Sequence, residues 1–460
     1  MRISMNFKKL LWPMFCGMLA MTVACSSDST TPTDPNTPPG GDPATPGTNP
    51  GGNGGAYVSP VALATSANKD AAATIANKWA EGHFVSMETE SGYYGSVASG
   101  FKEVFTGYSP VGRIIWSGQS TGTYKNKCSV TDATVPLMKF RGCTVSEGIG
   151  YGMLISYFKG DDVMFNSLWN YSRGFRQYFS TPFTPWITFS FHYNQIDISS
   201  ATDADLDIAT ALILMYYRTG GQDYLNDAMT IVNAIWDQEI EKSSKLILSG
   251  YTNMWTTNPT FNLSYFSPVA LRLFATVDQN PAHDWNGVLD AMYAYMKKVQ
   301  DGGTGVFPDW SDAAGAAKNA PNSSSDKTYW LFDKESVRIP WRIAWDYYWY
   351  QEPRAQAILN TLNEFIVKKS GGDVNNVTAL GTNYSWNLSV GADKADMGVI
   401  SSQWLGAWCA TGLAGNADWL NACTSAVNAR EPTNNASSYF SDILLTMYAQ
   451  LLNGVFVRPF

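Results

Sequence analysis

Histidine is scarce in this chain: there are three in 460 residues, His83, His192 and His283. Neither an HExxH motif nor a paired CxxC motif occurs. Zinc sites draw on imidazole and thiolate at such spacings, so no metal is expected, and no cofactor either. Basic charge is also in short supply. Lys and Arg number 31 against 39 Asp and Glu, giving a net charge of −8. A nucleic-acid partner calls for a basic face, so none is expected. Clean strand alternation is confined to short runs such as RIIWS and ITFSFHY. A mainly β architecture is excluded on that ground.

The one long apolar run lies at the start. Lys8 and Lys9 precede Leu10 to Ala24, interrupted by Pro13, Gly17 and Thr22. This is the layout of a secretory leader, too short for a comfortable membrane span. It ends in TVAC, so residues 1–24 read as a lipoprotein-type signal peptide with Cys25 as the lipidated residue. Thr22 stands where Leu is common, and plain secretion is the alternative. Residues 25–56 are Thr, Pro, Gly, Asp, Asn and Ser with almost nothing apolar. Such a stretch cannot bury enough surface to offset its chain entropy and reads as a tether. Both readings place the protein outside the cytoplasm, its contact with a membrane limited to the anchor. Four cysteines follow in 57–460: Cys128 and Cys143, then Cys409 and Cys423. Two local disulfides are expected in an exported chain.

No second linker divides 57–460, so one large domain is expected. Apolar i, i+3, i+4 spacing recurs near 70–84, 147–158, 163–178, 205–219, 221–240 and 265–277. It continues near 284–299, 336–350, 353–368, 398–412, 416–428 and 437–453. Twelve helices separated by long polar stretches predict an all-α (α/α)6 barrel, with long loops forming a cleft at one end. A superhelix of stacked hairpins is the alternative, but no fixed period supports it. Aromatics are plentiful, at 17 Trp, 24 Tyr and 22 Phe. Several fall in polar, loop-like sequence, notably Trp116, Trp255 and Trp310, where their faces would suit sugar rings.

Three acidic stretches stand out. In ATDADLDIATALILM, Asp203, Asp205 and Asp207 alternate ahead of an apolar run. A calcium loop starting at Asp203 would need Gly and Glu where Ile208 and Leu214 stand, so that reading fails. Thr202 and Asp205 read as a capping box, with Asp203 at the first helical position. There the dipole would keep it ionised to low pH. In CTVSEGIGYGMLISYF, Thr144 and Glu147 make a second capping-box pattern. Gly148, Gly150 and Gly152 then cost helix stability, roughly 1 kcal/mol each relative to Ala, and open the backbone to close approach by another chain or a ligand. Glu147 beside Tyr151 has the surroundings of a general acid. In WLFDKESVRIPWRIAWDYYWY, Asp333 and Glu335 precede a helix on which Arg338 and Arg342 lie one turn apart. Arg338 would keep a nearby carboxylate ionised, as a general base needs. The bland reading of all three is helix capping and a surface ion pair.

Together these stretches resemble glycoside hydrolase family 8, inverting β-glycanases built on an (α/α)6 barrel. ATDADLDIA is similar to that family's signature, and VSEGIGYGMLI to the segment carrying its general acid, here Glu147. NLSYFSP resembles the segment supplying an active-site tyrosine, here Tyr265. FPDW, with Asp309 and Trp310, and VRIPWRIAWDY also look like family segments. The resemblance implies Glu147 as acid and Asp203 on the sugar at the cleavage point. It further implies a base three residues before Arg338, where Glu335 replaces the usual Asp, with Asp333 as the alternative. Arg338, Tyr265, Asp309, Trp116, Trp255 and Trp310 would contact substrate. The expected reaction is endo-hydrolysis of β-1,4 bonds of cellulose-type or mixed-linkage glucan by a monomer, with xylan or chitosan as alternatives. A non-catalytic glycan-binding lipoprotein is the rival from another class.

Overall fold

The computed structural model describes residues 61–94, 103–116, 143–188, 196–321, 328–377, 380–394, 400–435 and 437–460. The leader, Cys25, the tether and Cys128 lie outside the described residues. So does most of ITFSFHY, of which Ile187–Thr188 forms a strand.

Twelve helices of nine residues or more occur among the described residues. In chain order they are α1 Lys69–His83, α2 Ser146–Lys159, α3 Asp162–Phe179, α4 Thr202–Thr219, α5 Gln222–Gln238 and α6 Pro268–Val277. There follow α7 Trp285–Asp301, α8 Ile339–Tyr350, α9 Pro353–Lys369, α10 Ser402–Ala410, α11 Ala417–Asn428 and α12 Tyr439–Leu452. Each matches a periodic segment of the sequence. For α6 and α8 the start, three residues into the pattern, is set by Pro268 and Pro340, which sit at the first turn and cannot lie further in. The residues ahead of them form 3-10 turns, Leu263–Tyr265 and Ser336–Arg338.

The odd and even helices differ in kind. The odd ones, apart from the more deeply buried α3, bury a single stripe. On α5 it is Ala228, Ile231, Val232 and Ile235; on α9 it is Ala355, Ile358, Leu359, Leu362 and Ile366. That spacing marks a helix with one face on the core and one in water. The even helices are buried all round. On α4 every residue from Thr202 to Met215 is buried, and on α12 every residue from Asp442 to Leu452. Such helices must be surrounded. Each even helix touches the next, α2 to α4, α6, α8, α10 and α12, and α12 touches α2 again. Six inner helices thus close a ring inside six outer ones, the (α/α)6 barrel expected from the sequence.

Connection lengths give this barrel a top and a bottom. An inner helix leads to its outer neighbour through a short link. Gly160 and Gly220, both in the left-handed region with φ of 76° and 73°, end α2 and α4. An outer helix returns to the next inner one through long segments, 84–145, 180–201, 239–267, 302–338 and 370–401. The described parts of these segments lead into the N-terminal ends of the inner helices. Small antiparallel pairs knit them: Phe84–Ser86 with Gly112–Ile114, Thr260–Phe261 with Ser311–Asp312, and Leu331–Phe332 with Tyr384–Ser385. Cys409 and Cys423 form a disulfide joining α10 to α11. Cys143 is also disulfide-bonded.

Candidate active site

Helix capping follows the same line as burial, except at the outer α5, whose N-cap is Gly221. Asn68, Asp161, Asp284, Glu352 and Asn416 cap the outer helices α1, α3, α7, α9 and α11 through side-chain oxygens. No inner helix has a side-chain cap. Free N–H groups and the positive ends of the inner helix dipoles therefore converge under the long loops, a setting that favours carboxylates.

The two expected capping boxes are accordingly not formed. The N-cap of α2 is Val145 and that of α4 is Ala201. Thr144 instead donates to the Ile114 carbonyl at 2.8 Å and accepts from Arg113 at 3.1 Å. Glu147 and Asp203 each occupy the second position of their helices. The glycines after Glu147 admit protein rather than ligand. A Cβ on Gly150 would lie 2.9 Å from the Asp207 Cβ on α4, and one on Gly148 would lie 3.2 Å from the Tyr439 hydroxyl.

A trough of about 660 Å³ opens here. Glu147, Asp203, Tyr265, Glu335, Arg338 and Tyr439 line its centre. Arg338, just before α8, organises the acids. One terminal nitrogen donates to Glu147 and, at 3.0 Å, to Asp203; the other donates to Glu335. One turn along each helix, Arg342 makes a bidentate pair with Asp207 at 2.7 and 2.9 Å. Asp203 and Asp207 on α4 therefore face Arg338 and Arg342 in register. The sequence reading of a surface ion pair is overturned: both arginines are buried.

Glu147 also accepts a hydrogen bond from Tyr439 at 2.8 Å. Glu335 accepts one from Asn262 at 2.8 Å, and the other end of Asn262 caps the turn that carries Tyr265. The Tyr265 ring stacks under the Arg338 guanidinium at 5.5 Å. Sequence reasoning missed Tyr439 and Asn262. Asn262 opens the quoted NLSYFSP segment; Tyr439 has no signal beyond being the first residue of the last inner helix.

Asp203 departs from expectation in its charge state. Burial lifts its pKa to about 7, opposed by Arg338 and reinforced by Glu147. The expected dipole effect is outweighed because the carboxyl is removed from water. Tyr265 is likewise pushed well up, by burial first and then by Asp203.

Asp309 does not line the trough. It is fully buried and accepts from the Asp333, Glu335 and Ser336 amides at 3.0, 3.2 and 3.0 Å, and from the Ser336 hydroxyl at 2.8 Å. It shapes the turn that presents Glu335, so it positions rather than contacts. Asp333 lies on that turn but outside the trough lining. Replacing Asp309 by Ala orphans these donors at about 1–3 kcal/mol each before relaxation. Thermal denaturation should show a clear loss of stability, and Asp309→Asn, which keeps the acceptor oxygen, should recover much of it.

Of the expected aromatics, Trp116, Trp255 and Trp310 all line the trough. Trp255 stacks on Trp310 with centroids 5.5 Å apart and planes 10° off parallel. Trp310 is nearly buried behind it. Trp116 pairs with Cys143 through an isolated bridge. Among the described residues, no group of His, Cys, Asp and Glu side chains has the arrangement of a metal site.

An uncapped ring of inner helices with an arginine-tied trio of carboxylates in an aromatic trough defines a helical-barrel protein of the glycan-processing class. The glycosyl hydrolases family 8 model matches residues 137–396, and the chain belongs to that family. It is similar to Endoglucanase C of Ruminiclostridium cellulolyticum, 32% identical over 227 residues, 48% of this chain and 46% of that protein. Against Endoglucanase A of Acetivibrio thermocellus it is 30% identical over 253 residues, 53% of this chain and 50% of that protein. The matched stretch thus spans about half the length of these curated relatives. Among solved structures, the β-1,3-1,4-glucanase of Paenibacillus sp. X4 superposes with a TM-score of 0.65 at 20% identity, covering 86% of this chain and 96% of that one. Rex8A of Paenibacillus barcinonensis, complexed with xylose, gives 0.61 at 16% identity over 81% and 94%. These two show the shared fold.

Proposed function

We propose that the chain is an inverting, endo-acting β-1,4-glucanase that also accepts mixed-linkage β-glucan. The observation that carries this reading is Glu147 and Glu335 on different nitrogens of one guanidinium in one open trough. An inverting pair needs its carboxyls about 6.5–9.5 Å apart, with room for a water between base and sugar. In this reading Glu147 protonates the leaving oxygen. Glu335 removes a proton from the water that attacks the anomeric carbon from the opposite face. Asp203 and Tyr265 hold the sugar at the cleavage point, and Trp116 and the Trp255–Trp310 stack bear neighbouring rings. Asp333, the alternative base, is off the trough lining, which favours Glu335.

The endoglucanase relatives and the mixed-linkage glucanase neighbour support glucan as substrate. Xylan is the second reading, supported by the xylose-bound neighbour. Reducing-sugar release from carboxymethyl cellulose, lichenan, xylan and chitosan separates these. We expect fastest release from lichenan or carboxymethyl cellulose, with the α-anomer as first product by proton NMR. No release from any of the four would favour the glycan-binding alternative, and an initial β-anomer would refute inversion.

We further propose export on a lipid anchor at Cys25. The leader pattern and tether support it, together with the disulfide between Cys409 and Cys423. Labelling with a fatty-acid analogue should mark the wild type and spare Cys25→Ser.

A further inference from the structure

Asp205, the middle acid of the TDADLD run, takes no part in the trough. It points into the wall between α4 and the end of α5, where Glu239 follows the last turn. Both residues are buried, 1% and 0% exposed. The neighbouring acids each have a cation: Asp203 has Arg338, and Asp207 has Arg342. Asp205 and Glu239 have no ion-pair partner among the described residues. The guanidinium nearest to hand, Arg176 on α3, is committed to Asp227, one nitrogen at 2.9 Å. Neither oxygen of Asp205, which the Thr184 amide faces, and only one of Glu239 completes a hydrogen bond among the described residues. That one accepts from Ser200 at 2.6 Å, and Ser200 lines the trough. The buried Thr202 hydroxyl faces Glu239 without completing a hydrogen bond.

Two anions cannot be buried side by side without a counter-charge. We propose that Asp205 and Glu239 are positioning residues, a buried carboxyl pair that holds a proton at neutral pH, fixes Ser200 in the trough wall and leaves Asp203 the single acid at the head of α4 that faces substrate. One carboxyl keeps its proton, so the pair carries at most one negative charge. The proton-holding pair stands apart from the glucanase reading; only its effect on turnover rests on that reading.

The surroundings agree. Burial, then Glu239, then Asp203 push the Asp205 carboxyl well up, against smaller opposing effects of the Thr184 amide and Arg176. Burial lifts Glu239 to about 8, with Ser200 and Thr202 opposing and Asp203 adding. Tyr251, facing the pair from the segment before α6, is itself pushed up by burial and by Asp197, Asp205 and Glu239. No cation enters from that side. The sign follows from linkage. These acids both ionise in the unfolded chain near pH 4, while in the fold the pair keeps a proton. The folded state then binds more protons, and stability falls as pH rises from about 4 toward about 8. Past that point a second anion appears in the wall beside α4.

The test is an infrared pH titration of the full chain, run with Glu239→Gln and Asp205→Asn. We expect a protonated-carboxyl stretch at pH 7 in the wild type, to which Asp203 also contributes, with a part that is lost above about pH 8; that part should be absent from Glu239→Gln. The amide keeps the Ser200 acceptor and cannot ionise. Its Tm should therefore decline less steeply with pH than that of the wild type, and the alkaline limb of kcat/KM should move up by about one unit. A wild type with no such band at pH 7 overturns the proposal. So do Tm–pH slopes in both variants that match the wild type. The infrared and Tm measurements use no substrate, so they fail separately from the glucanase reading.

Discussion

In Glu147→Gln, turnover of polymeric β-glucan falls by about 10²–10⁴-fold, the share a positioned general acid contributes. Oligosaccharide binding persists. Gln fills the same volume; its one carbonyl oxygen can keep the Arg338 bond, while its amide nitrogen takes the other place and the Tyr439 hydroxyl turns from donor to acceptor. The trough should therefore keep its shape. What disappears is the proton for the departing oxygen. Two further measurements separate this loss from misfolding. A substrate whose aglycone leaves without protonation, such as a dinitrophenyl glycoside, should lose far less rate than the polymer. A circular dichroism spectrum and a Tm that match the wild type should show that the fold is kept. An equal loss on both substrates would mean that residue 147 positions the sugar instead, and the acid would have to be sought elsewhere on the trough.

The barrel was legible because its two helix classes have different sequence textures. Stripes such as Ile231–Val232–Ile235 announce an outer helix, and unbroken apolar stretches such as Ile208–Met215 an inner one. The acids were legible because each stands at the head of an inner helix, where the chain also switches from polar loop to buried core. Their partnerships were not. A capping box and an acid aimed across a barrel share one local pattern, Thr-x-x-acid. The choice between them depends on what lies opposite. At Glu147 that is Tyr439, 292 residues away, and at Asp203 it is Arg338, 135 away. Asp309 was misplaced for the same reason. A lone Asp beside a Trp reads as a ligand contact until the amides of 333–336 fold over it. The charge state of Asp203 also escaped, since a dipole is visible in sequence and desolvation is not.

Arg338 is where removal should be felt most widely. It is the guanidinium shared by Glu147, Asp203 and Glu335, and its side chain is 4% exposed. A planar fork can serve three acids on two nitrogens; the compact ammonium of Lys cannot. Arg338→Lys should therefore fold but lose about 10²–10³-fold in kcat/KM, comparable to losing one preorganised donor. The acids it no longer holds would drift from their places on the trough. Arg338→Met removes the charge altogether. Breaking a buried ion pair from one side costs about 3–5 kcal/mol, because the acids are left uncompensated. The sign with pH is diagnostic. Uncompensated carboxyls take up protons more readily in the fold than in the unfolded chain, so the folded state binds more protons at neutral pH. The Tm deficit of Arg338→Met should therefore shrink as the medium is acidified toward pH 5 and grow toward pH 8. A deficit independent of pH would mean that the arginine contributes packing against Tyr265 rather than charge, and the three acids would have to be balanced in some other way.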